Sequence, residues 1–505
     1  MIPSLPPPVS TPATETPKKE GRYKLDFSSS DDKSIFPKYF ALQNYSPRHP
    51  QPRTAPFLQY IHESYLEFNG EHGLLHPFSK FESEISDSNP KLIHIRCTGI
   101  NKYWVRKSSD SNHIVPIATK KEDNVSKSSC TLFEPIYDAK YKAYRFRHVQ
   151  LGYELFRDKT DRLLARENGS PDSEREDAYG VFTKVIDWNS LCVFPKHVTF
   201  KGYNGKYLRF EGKYLQVSGE QNHSSLIHEI YPQKDGNLMI KNIKSERFWI
   251  HDPNWIVATA RDGNRDDPNL LFQPVSLHNN VVALRSLGNT AFCAIISVDD
   301  QKNCLNATES DPTEETQFEV SEDYIIYRRK IDINIHYRLG NGRIYGERVW
   351  SMAKGYAINK TEEPEQIEFT FSFEDERNMK WTNIFAKQFE STKYFNAEFP
   401  LIKDGEITIG NGTAQSIIWG ETYRKKKILM SCDTTITVPP MSKVKVNVVV
   451  KRGFCEVPFS YMHATTSAKH SVIIPYRDGV FTDGDFTGVN SYQFQITTDE
   501  EALPI

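Results

Sequence analysis

The stretch VIDWNSLCVFPKHVTFKGYNGKYLRF, residues 185–210, marks the point where one sequence pattern ends and its second copy begins. FPK at 36–38 opens the first copy, and FPK at 194–196 opens the second. The markers that follow keep their order: LIHI, KYW and LFEP in the first copy correspond to LMI, RFW and LFQP in the second. Ordered self-similarity of this kind predicts two tandem copies of one fold.

The length sets the number of domains. A chain of 505 residues is too long for one core, and about three domains are expected. We predict a disordered tail at 1–33, where Pro, Ser, Thr and charged residues dominate, because such a composition buries too little apolar surface to fold. The two copies are predicted at 34–190 and 191–323, and a third region of different texture at 324–505.

Composition limits the partners. The net charge is -2 with 25% charged residues, so no nucleic-acid partner is expected. Seven cysteines lie scattered without a C-x-x-C pair, which argues against a zinc site and a disulfide framework, and we predict no metal or cofactor. The N-terminal stretch lacks the apolar segment of a secretory signal, and no run of about 18 apolar residues occurs, so cytoplasmic or nucleocytoplasmic residence is the expectation.

The texture of both copies is all-β. Short apolar runs alternate with Gly, Asn, Ser, Asp and Pro, and no long segment has helical periodicity, which predicts a barrel or sandwich. Asn204-Gly205 separates two such runs. Because this dipeptide accepts positive φ at low cost, it predicts a β-hairpin there.

Several runs in the two copies carry a resemblance: KYWVRKSSDSNHIVPIA, CTLFEPIY, RHVQLG, VIDW, FPKHVTFKGYNGKYL and ALRSLGNTAFC. They resemble the amaranthin family of plant lectins, in which two β-trefoil domains stand in tandem. The resemblance implies that each copy is a β-trefoil. It also implies recognition of the T-antigen disaccharide, galactose linked to N-acetylgalactosamine.

The third region alternates apolar and polar residues with period two. Examples are Ile331 to Tyr337, Phe369 to Phe373 and Val444 to Val448, and such alternation predicts long, half-buried antiparallel strands. The runs YRLGNGRIYG, IKDGEITI, WGET, TVPPMSKVKVNV and CEVPFSY resemble the aerolysin-like C-terminal domains of some plant lectins. That resemblance implies an elongated, twisted β-sheet module of the pore-forming toxin type.

Enzyme signatures are missing from the sequence. It contains no H-E-x-x-H, G-x-S-x-G, P-loop or G-x-G-x-x-G motif, and its carboxylates and histidines follow no catalytic pattern. We therefore expect a binding protein and not an enzyme. Catalysis remains open in principle because acid/base pairs assemble in space.

Sugar recognition needs an aromatic face for the pyranose ring and fixed polar groups for its hydroxyls. Asn112 falls where the amaranthin motif carries an asparagine in its sugar site, and His113 follows it as in that family. Asn254 and Trp255 occupy the parallel loop of the second copy. Trp104 and Trp249 are predicted core residues. The first copy departs from the family at Ile114-Val115 and in its first hairpin, so its sugar specificity can differ.

Two hypotheses follow for function. The leading one is a lectin recognising galactose or GalNAc glycans, joined to an aerolysin-like module and acting in plant defence. The alternative is a storage or structural protein with degenerate sugar sites. The resemblance also implies a head-to-tail homodimer, in which Asn112 and His113 form one wall of the sugar site while Asn254 and Trp255 of the other protomer form the second.

The aerolysin-like resemblance further implies a membrane-inserting hairpin, which we predict at Asn383 to Trp419 after oligomerisation. Its arms are long enough, since a spanning strand needs about 9–11 residues. Lysines at 387 and 393 share the apolar face and would be costly in lipid, so a hairpin that never inserts is the alternative. The lipid-facing candidates are Phe385, Phe389, Phe395, Phe399, Ile407 and Ile409.

Overall fold

The computed structural model describes residues 36–45, 55–61, 65–69, 73–167, 182–220, 224–278, 280–322, 331–383, 394–467, 470–473 and 483–503. Strands and short 3-10 turns make up these residues, and no α-helix occurs among them, so the predicted all-β class is confirmed. The described residues accordingly hold no helix with the length and apolarity to cross a membrane. The predicted tail at 1–33 lies outside them.

The first copy is a six-stranded barrel with three hairpins. Strands β1, β4, β5, β8, β9 and β12 pair in a closed ring, and the hairpins β2–β3, β6–β7 and β10–β11 lie off that ring. This is the predicted β-trefoil. Its strands are β1 (Tyr39–Asn44), β2 (Gln59–Ile61), β3 (Tyr65–Glu67), β4 (Phe81–Ile85), β5 (Ile93–Cys97), β6 (Lys102–Ser108), β7 (Ser111–Ala118), β8 (Leu132–Asp138), β9 (Ala143–His148), β10 (Tyr153–Arg157), β11 (Leu163–Arg166) and β12 (Thr183–Asp187).

The second copy repeats the plan. Strands β13, β16, β17, β20, β21 and β24 close the ring, and β14–β15, β18–β19 and β22–β23 are the hairpins. Its strands are β13 (His197–Gly202), β14 (Tyr207–Glu211), β15 (Tyr214–Gly219), β16 (His228–Pro232), β17 (Leu238–Asn242), β18 (Arg247–Asp252), β19 (Trp255–Ala260), β20 (Phe272–His278), β21 (Val281–Ser286), β22 (Phe292–Val298), β23 (Gln301–Glu309) and β24 (Phe318–Glu322).

Each trefoil has its own apolar core around a central tryptophan. Trp104 packs with Phe81 and Phe133 in the first, and Trp249 packs with Phe200 and Phe272 in the second. Both tryptophans are fully buried, which confirms that they are core residues. The predicted turn at Asn204-Gly205 is also confirmed: Gly205 has φ +73° and its N–H donates to the carbonyl of Gly202.

The third region, named here the long-stranded module, has strands of up to 26 residues. The sheet order is β25-β31-β33-β27-β30, with β26 and β32 also paired to β31, while β28 and β29 form a separate hairpin. Its strands are β25 (Ile331–Tyr337), β26 (Arg343–Asn359), β27 (Glu365–Asn383), β28 (Tyr394–Lys403), β29 (Glu406–Ile418), β30 (Thr422–Val438), β31 (Ser442–Ser467), β32 (His470–Ile473) and β33 (Asp483–Ala502).

The predicted alternation is realised on these strands. Val444, Val446 and Val448 are buried against Phe371 and Phe373 of β27, while the residues between the valines face outward. The alternating sequence of the third region predicted long, half-buried antiparallel strands, and the structure has them.

Strand β26 forms an open edge of the module. Within the described residues it pairs with β31 alone, and the ladder is interrupted by bulges between Tyr345 and Arg348 and between Ser351 and Ala353. Gly346 supplies the positive φ, +62°, in the first bulge. Every side chain from 345 to 351 is exposed. Trp350 keeps 51% of its surface in water, so a large apolar ring lies uncovered on this edge.

Candidate functional site

Asn112 and His113 lie at the start of β7, one residue beyond the tip of the β6–β7 hairpin. Ser108 pairs with Ser111 to close the tip, and His113 pairs with Leu164 of the β10–β11 hairpin. Asn112 is half-buried, and its side-chain amide forms no hydrogen bond with other residues that the structure describes. Its donor and acceptor are therefore open to a ligand.

His113 is held in place from both sides of its ring. Its Nε2 lies 3.1 Å from Oδ2 of Asp158, and its Nδ1 lies 3.2 Å from Oγ of Ser111. Burial would raise the pKa of Asp158, but hydrogen bonds from Thr160, Arg162 and His113 outweigh burial and hold that pKa below its usual range. Asp158 is thus an ionised acceptor that orients the imidazole.

Tyr65 of β3 completes this group, which we name the first cluster: Tyr65, Asn112, His113, Asp158 and Arg162. The Tyr65 ring meets His113 edge-on, with centroids 5.8 Å apart. The Arg162 guanidinium lies 3.9 Å from the Tyr65 centroid, and the Lys107 ammonium lies 4.3 Å from it. Two cations already occupy the ring, so the first cluster offers polar groups more readily than a stacking face.

Arg162 is neutralised by Glu67. Its Nε donates to Oε1 of Glu67 at 2.8 Å, and the backbones of these two residues form a bridge between β3 and the turn before β11. Lys107 also donates to the Tyr65 hydroxyl, and it forms no ion pair with a carboxylate in the described part of the chain. The first cluster therefore has an uncompensated cation at its rim.

The second trefoil places Trp255 at the start of β19, directly after Asn254. Asn254 is exposed in the turn, and its carbonyl accepts a hydrogen bond of 2.8 Å from the N–H of Ala307. The half-buried Trp255 ring meets Tyr214 edge-on, with centroids 5.8 Å apart. Trp255 also pairs across the sheet with Asn306 of β23. These four residues, Tyr214, Asn254, Trp255 and Asn306, are named the second cluster.

The second cluster lies where three hairpin strands meet, because β15, β19 and β23 each pair with the other two. Asn306 is 4% exposed, and its Oδ1 has no hydrogen-bond partner among the described residues. A buried carbonyl oxygen without a donor costs about 1–3 kcal/mol. Trp255 has a ring that no described cation covers, so this cluster supplies the aromatic face that the first one lacks.

The four sequence-predicted residues thus fall into two clusters, one in each trefoil. Among the described residues no hydrogen bond or ring contact joins His113 to Trp255. Five further members were not predicted from the sequence: Tyr65, Asp158, Arg162, Tyr214 and Asn306. The pair Tyr-Leu at 65–66 and again at 214–215 was the repeat signal that would have found the two tyrosines.

A hairpin, β28–β29, lies within the range Asn383 to Trp419 that was predicted to insert into a membrane, and its turn is at Asp404-Gly405. Residues 384–393 of that range lie outside the described residues. Phe395 stacks on Trp419 with centroids 4.3 Å apart, and Phe399 is 1% exposed in the same apolar core. Ile407 and Ile409 are half-buried. Phe385 and Phe389 lie outside the described residues. In this form of the protein the apolar face of the hairpin is turned into the module.

The thiols and the potential metal-ligating side chains are a further possible source of chemistry in the chain. All seven cysteines are free. Burial raises the pKa of the Cys97 and Cys192 thiols to about 12, so both are poor nucleophiles at neutral pH. The described residues hold no group of three His, Cys, Asp or Glu side chains arranged to bind a metal ion.

Residues 56–160 match the family model of the Agglutinin domain. This range contains all of the first cluster except Arg162, so the resemblance of the first copy to agglutinin domains is confirmed there. No curated protein sequence matches the chain.

Solved structures match at low identity. A mosquitocidal holotoxin is 11% identical with a TM-score of 0.27, and the match covers 60% of this chain and 36% of that one, so only about a third of the holotoxin is spanned. An aerolysin-like protein of Bombina maxima is 12% identical with a TM-score of 0.23, covering 34% of this chain and 99% of that one. The designed three-fold symmetric protein ThreeFoil is 10% identical with a TM-score of 0.23, covering 26% and 99%.

Proposed function

We propose that this chain is a glycan-binding lectin and not an enzyme. The observation that carries the proposal is the agglutinin match at 56–160, because that range supports carbohydrate binding and contains His113 together with the aspartate that orients it. From the resemblance we take galactose or GalNAc glycans as the ligand class and defence as the role. We keep the domain limits 34–190, 191–323 and 324–505, and cytoplasmic or nucleocytoplasmic residence, as parts of the proposal.

The two clusters have complementary chemistry for a disaccharide. A sugar ring places its apolar face on an aromatic side chain, and Trp255 offers such a face. Its hydroxyl groups need fixed donors and acceptors, which Asn112, His113 and the ionised Asp158 offer in the first cluster. Neither cluster alone presents both a free ring and an oriented charge.

This complementarity favours a site shared between two protomers, in which the first cluster of one faces the second cluster of the other. The predicted homodimer is proposed for that reason. One chain has a mass of 58.2 kDa. Light scattering of the purified protein should give twice that mass at concentrations where sugar binds. A strict monomer that binds with full affinity would contradict a shared site and leave two one-domain sites.

A glycan array tests the proposed lectin function. The purified full chain should bind glycans that end in galactose or GalNAc, and Trp255→Ala should weaken binding by about tenfold or more, since a lost aromatic contact is worth about 1–2 kcal/mol. Tyr203→Ala is the matched control, because Tyr203 is exposed in the same trefoil but lies outside the second cluster. Absence of binding to every such glycan by the wild type would sink the proposal.

We also propose that the long-stranded module oligomerises at a glycan-bearing membrane and inserts the β28–β29 hairpin. The support is the apolar face of that hairpin, which includes Phe395 and Phe399 and would face lipid after refolding. Dye release from liposomes that display a bound glycan is the readout. Binding without release would leave the module as a scaffold for the lectin domains, whereas a storage or structural protein with degenerate sugar sites would already fail to bind on the glycan array.

A further inference from the structure

The first trefoil contacts the long-stranded module through charged side chains. Arg96 of β5 is 1% exposed, and its Nε donates to Oε2 of Glu82 on the neighbouring strand β4 at 3.0 Å. Its Nη2 donates to Oε1 of Glu456, on β31 of the module, at 3.3 Å. One buried guanidinium therefore bridges a carboxylate of its own domain and a carboxylate of the other.

Arg343, the first residue of β26, makes the reciprocal bridge. Its Nε and Nη2 donate to Oε2 of Glu456 at 2.9 and 2.7 Å, and its Nη1 donates to Oε1 of Glu84 in the trefoil at 3.1 Å. The hydroxyl of Tyr103 donates to the same Glu84 oxygen at 2.8 Å. We name Glu82, Glu84, Arg96, Arg343 and Glu456 the polar joint.

Amide hydrogen bonds and a further ion pair flank the polar joint. The amide of Asn101 donates to the carbonyl of Asn341 at 2.6 Å, and the Lys80 ammonium lies 3.8 Å from Asp485 of β33. These polar contacts help to fix the orientation of the two domains and bury little apolar surface. Three carboxylates share two guanidiniums in the joint itself, and Lys38 and Lys121 of the trefoil also pair with Glu82 and Glu84. The loss of either arginine therefore removes an attraction between the two domains.

No apolar core crosses this boundary in the described residues. The core around Trp104 contains trefoil side chains alone, and the core around Trp381 contains module side chains alone. A third cluster, around Trp188, belongs to the first trefoil and the segment that follows it. Opening the boundary would thus expose charged groups to water without exposing the interior of either domain.

We infer that the polar joint is a releasable clamp that fixes the first trefoil to the module in one orientation and opens while both remain folded. Buried ion pairs add little net stability, because desolvation offsets their attraction, but they demand one geometry. Interfaces between domains that are polar and small allow relative motion. An apolar contact of the same extent would instead bind the two domains permanently.

Removal of one charge is the test. Arg343→Ala removes the ion pairs of this residue with Glu84 and Glu456 and leaves Arg96 as the one guanidinium of the polar joint. The two domains should therefore separate, and small-angle scattering should show a larger radius of gyration and a larger maximum dimension. Near-UV circular dichroism should stay at the wild-type level, because both cores are intact. Glu456→Gln is the milder variant and should produce the same change to a smaller extent.

Lys445→Gln is the matched control, since it removes an exposed ion pair with Glu501 on the same module and should leave scattering unchanged. Two results would overturn the inference. One is folded Arg343→Ala and Glu456→Gln proteins whose scattering equals that of the wild type. The other is expansion accompanied by loss of the near-UV signal in both variants, which would show that the joint cannot open without unfolding a domain.

Discussion

The indole of Trp249 donates a hydrogen bond from Nε1 to Nδ1 of His228 at 3.2 Å in the core of the second trefoil. Phe81 takes the corresponding place in the first trefoil: its centroid lies 5.1 Å from that of Trp104, compared with 5.0 Å between His228 and Trp249. The Nε1 of Trp104 consequently has no partner in the described residues. Among the described residues, a titratable imidazole is hydrogen-bonded to the central tryptophan in the second core but not in the first.

This difference predicts a pH-dependent stability of the second trefoil. Complete burial lowers the pKa of His228 to about 3, far below its value in an unfolded chain. Between these two pKa values the unfolded state therefore binds more protons at this residue than the folded state. The free energy of unfolding is not reduced by this residue above about pH 6.5, and it falls by roughly 1.4 kcal/mol for each pH unit below that value. Thermal unfolding followed from pH 7 to pH 4.5 should show a falling midpoint.

His228→Phe should reduce that fall, because Phe81 shows that a trefoil core of this kind accepts phenylalanine at this place. The comparison is the difference in midpoint between pH 7 and pH 4.5 for the wild type and for the variant. An identical difference in both proteins would contradict the assignment to His228. His148, whose pKa burial lowers to about 4, should contribute to the residual dependence together with His94 and His197, whose pKa values burial also lowers.

The first cluster gives a prediction for binding. In Asp158→Asn one side-chain oxygen remains to accept from Thr160 and Arg162, but the oxygen that faces His113 can be replaced by a nitrogen. We expect about tenfold weaker glycan binding, because a hydrogen bond to a charged group is worth about 1.5–3 kcal/mol. Calorimetric titration measures the change.

Asp161→Asn is the control for this prediction. Asp161 lies in the same turn and pairs with Arg157 at 3.5 Å, outside the first cluster. Its replacement should leave the affinity within a factor of two or so, as surface pairs are worth about 0–1 kcal/mol. Equal losses in both variants would mean that the turn as a whole, and not the orientation of His113, supports binding.

One asparagine adds two hydrogen bonds to the apolar packing that attaches the β28–β29 hairpin to the module. Asn490 of β33 accepts from the N–H of Ile402 at 2.9 Å and donates to the carbonyl of the same residue at 2.8 Å. Asn490→Ala removes both bonds, each worth about 1 kcal/mol, and should raise the population of the detached hairpin by about tenfold or more. Faster dye release from glycan-bearing liposomes is the expected result.

Asn396→Ala separates detachment from a general weakening of the hairpin. Asn396 accepts from the N–H of Ser416, so its bond lies within the hairpin itself. Release by this variant should be no faster than by the wild type. If Asn490→Ala released dye at the wild-type rate while its hairpin exchanged amide hydrogens faster, insertion of this hairpin would not limit pore formation.

The close surroundings of Gly484 leave no room for a side chain at this position of the module. A Cβ placed there would lie 2.4 Å from the carbonyl oxygen of Thr382 and 2.4 Å from the ring of Phe459. Gly484→Ala should therefore destabilise the module by about 1–3 kcal/mol. Gly340→Ala, where nothing lies within 4 Å of the added carbon, should change stability by less than about 0.5 kcal/mol. Denaturant unfolding of both variants makes the comparison, and equal midpoints would refute it.

The fold was largely predictable from local sequence. Period-two alternation at Val444 to Val448 indicates which face of a strand is buried. The Asn204-Gly205 dipeptide indicates where a hairpin turns. The repeated FPK and KYW markers predicted two copies of one fold, although they contain no information on which strands close each barrel. Such signals lie within a few residues of each other, so a single sequence contains them in full.

The sites were predictable only in part, because their members come from distant strands. Asn112 and His113 were found through a family motif, whereas Asp158 reaches His113 only after the β6–β7 and β10–β11 hairpins pair. The polar joint is further beyond local pattern: Arg96 and Glu456 are 360 positions apart. Nothing near either residue in the sequence indicates its partner, since both read as solvated charges on strands.

The open edge of β26 affects what happens when copies of the chain meet. A strand of 17 residues that is paired on one side with β31, and that has exposed Val349 and Trp350, is a template for further strands at its other edge. Regular edges of that length favour aggregation. The two bulges divide the ladder into three runs, from Arg343 to Tyr345, from Arg348 to Ser351 and from Ala353 to Asn359, which disfavours an incoming strand that stays in one register along the whole edge. Both bulges, at Gly346 and after Ser351, therefore act against continued strand addition along this edge.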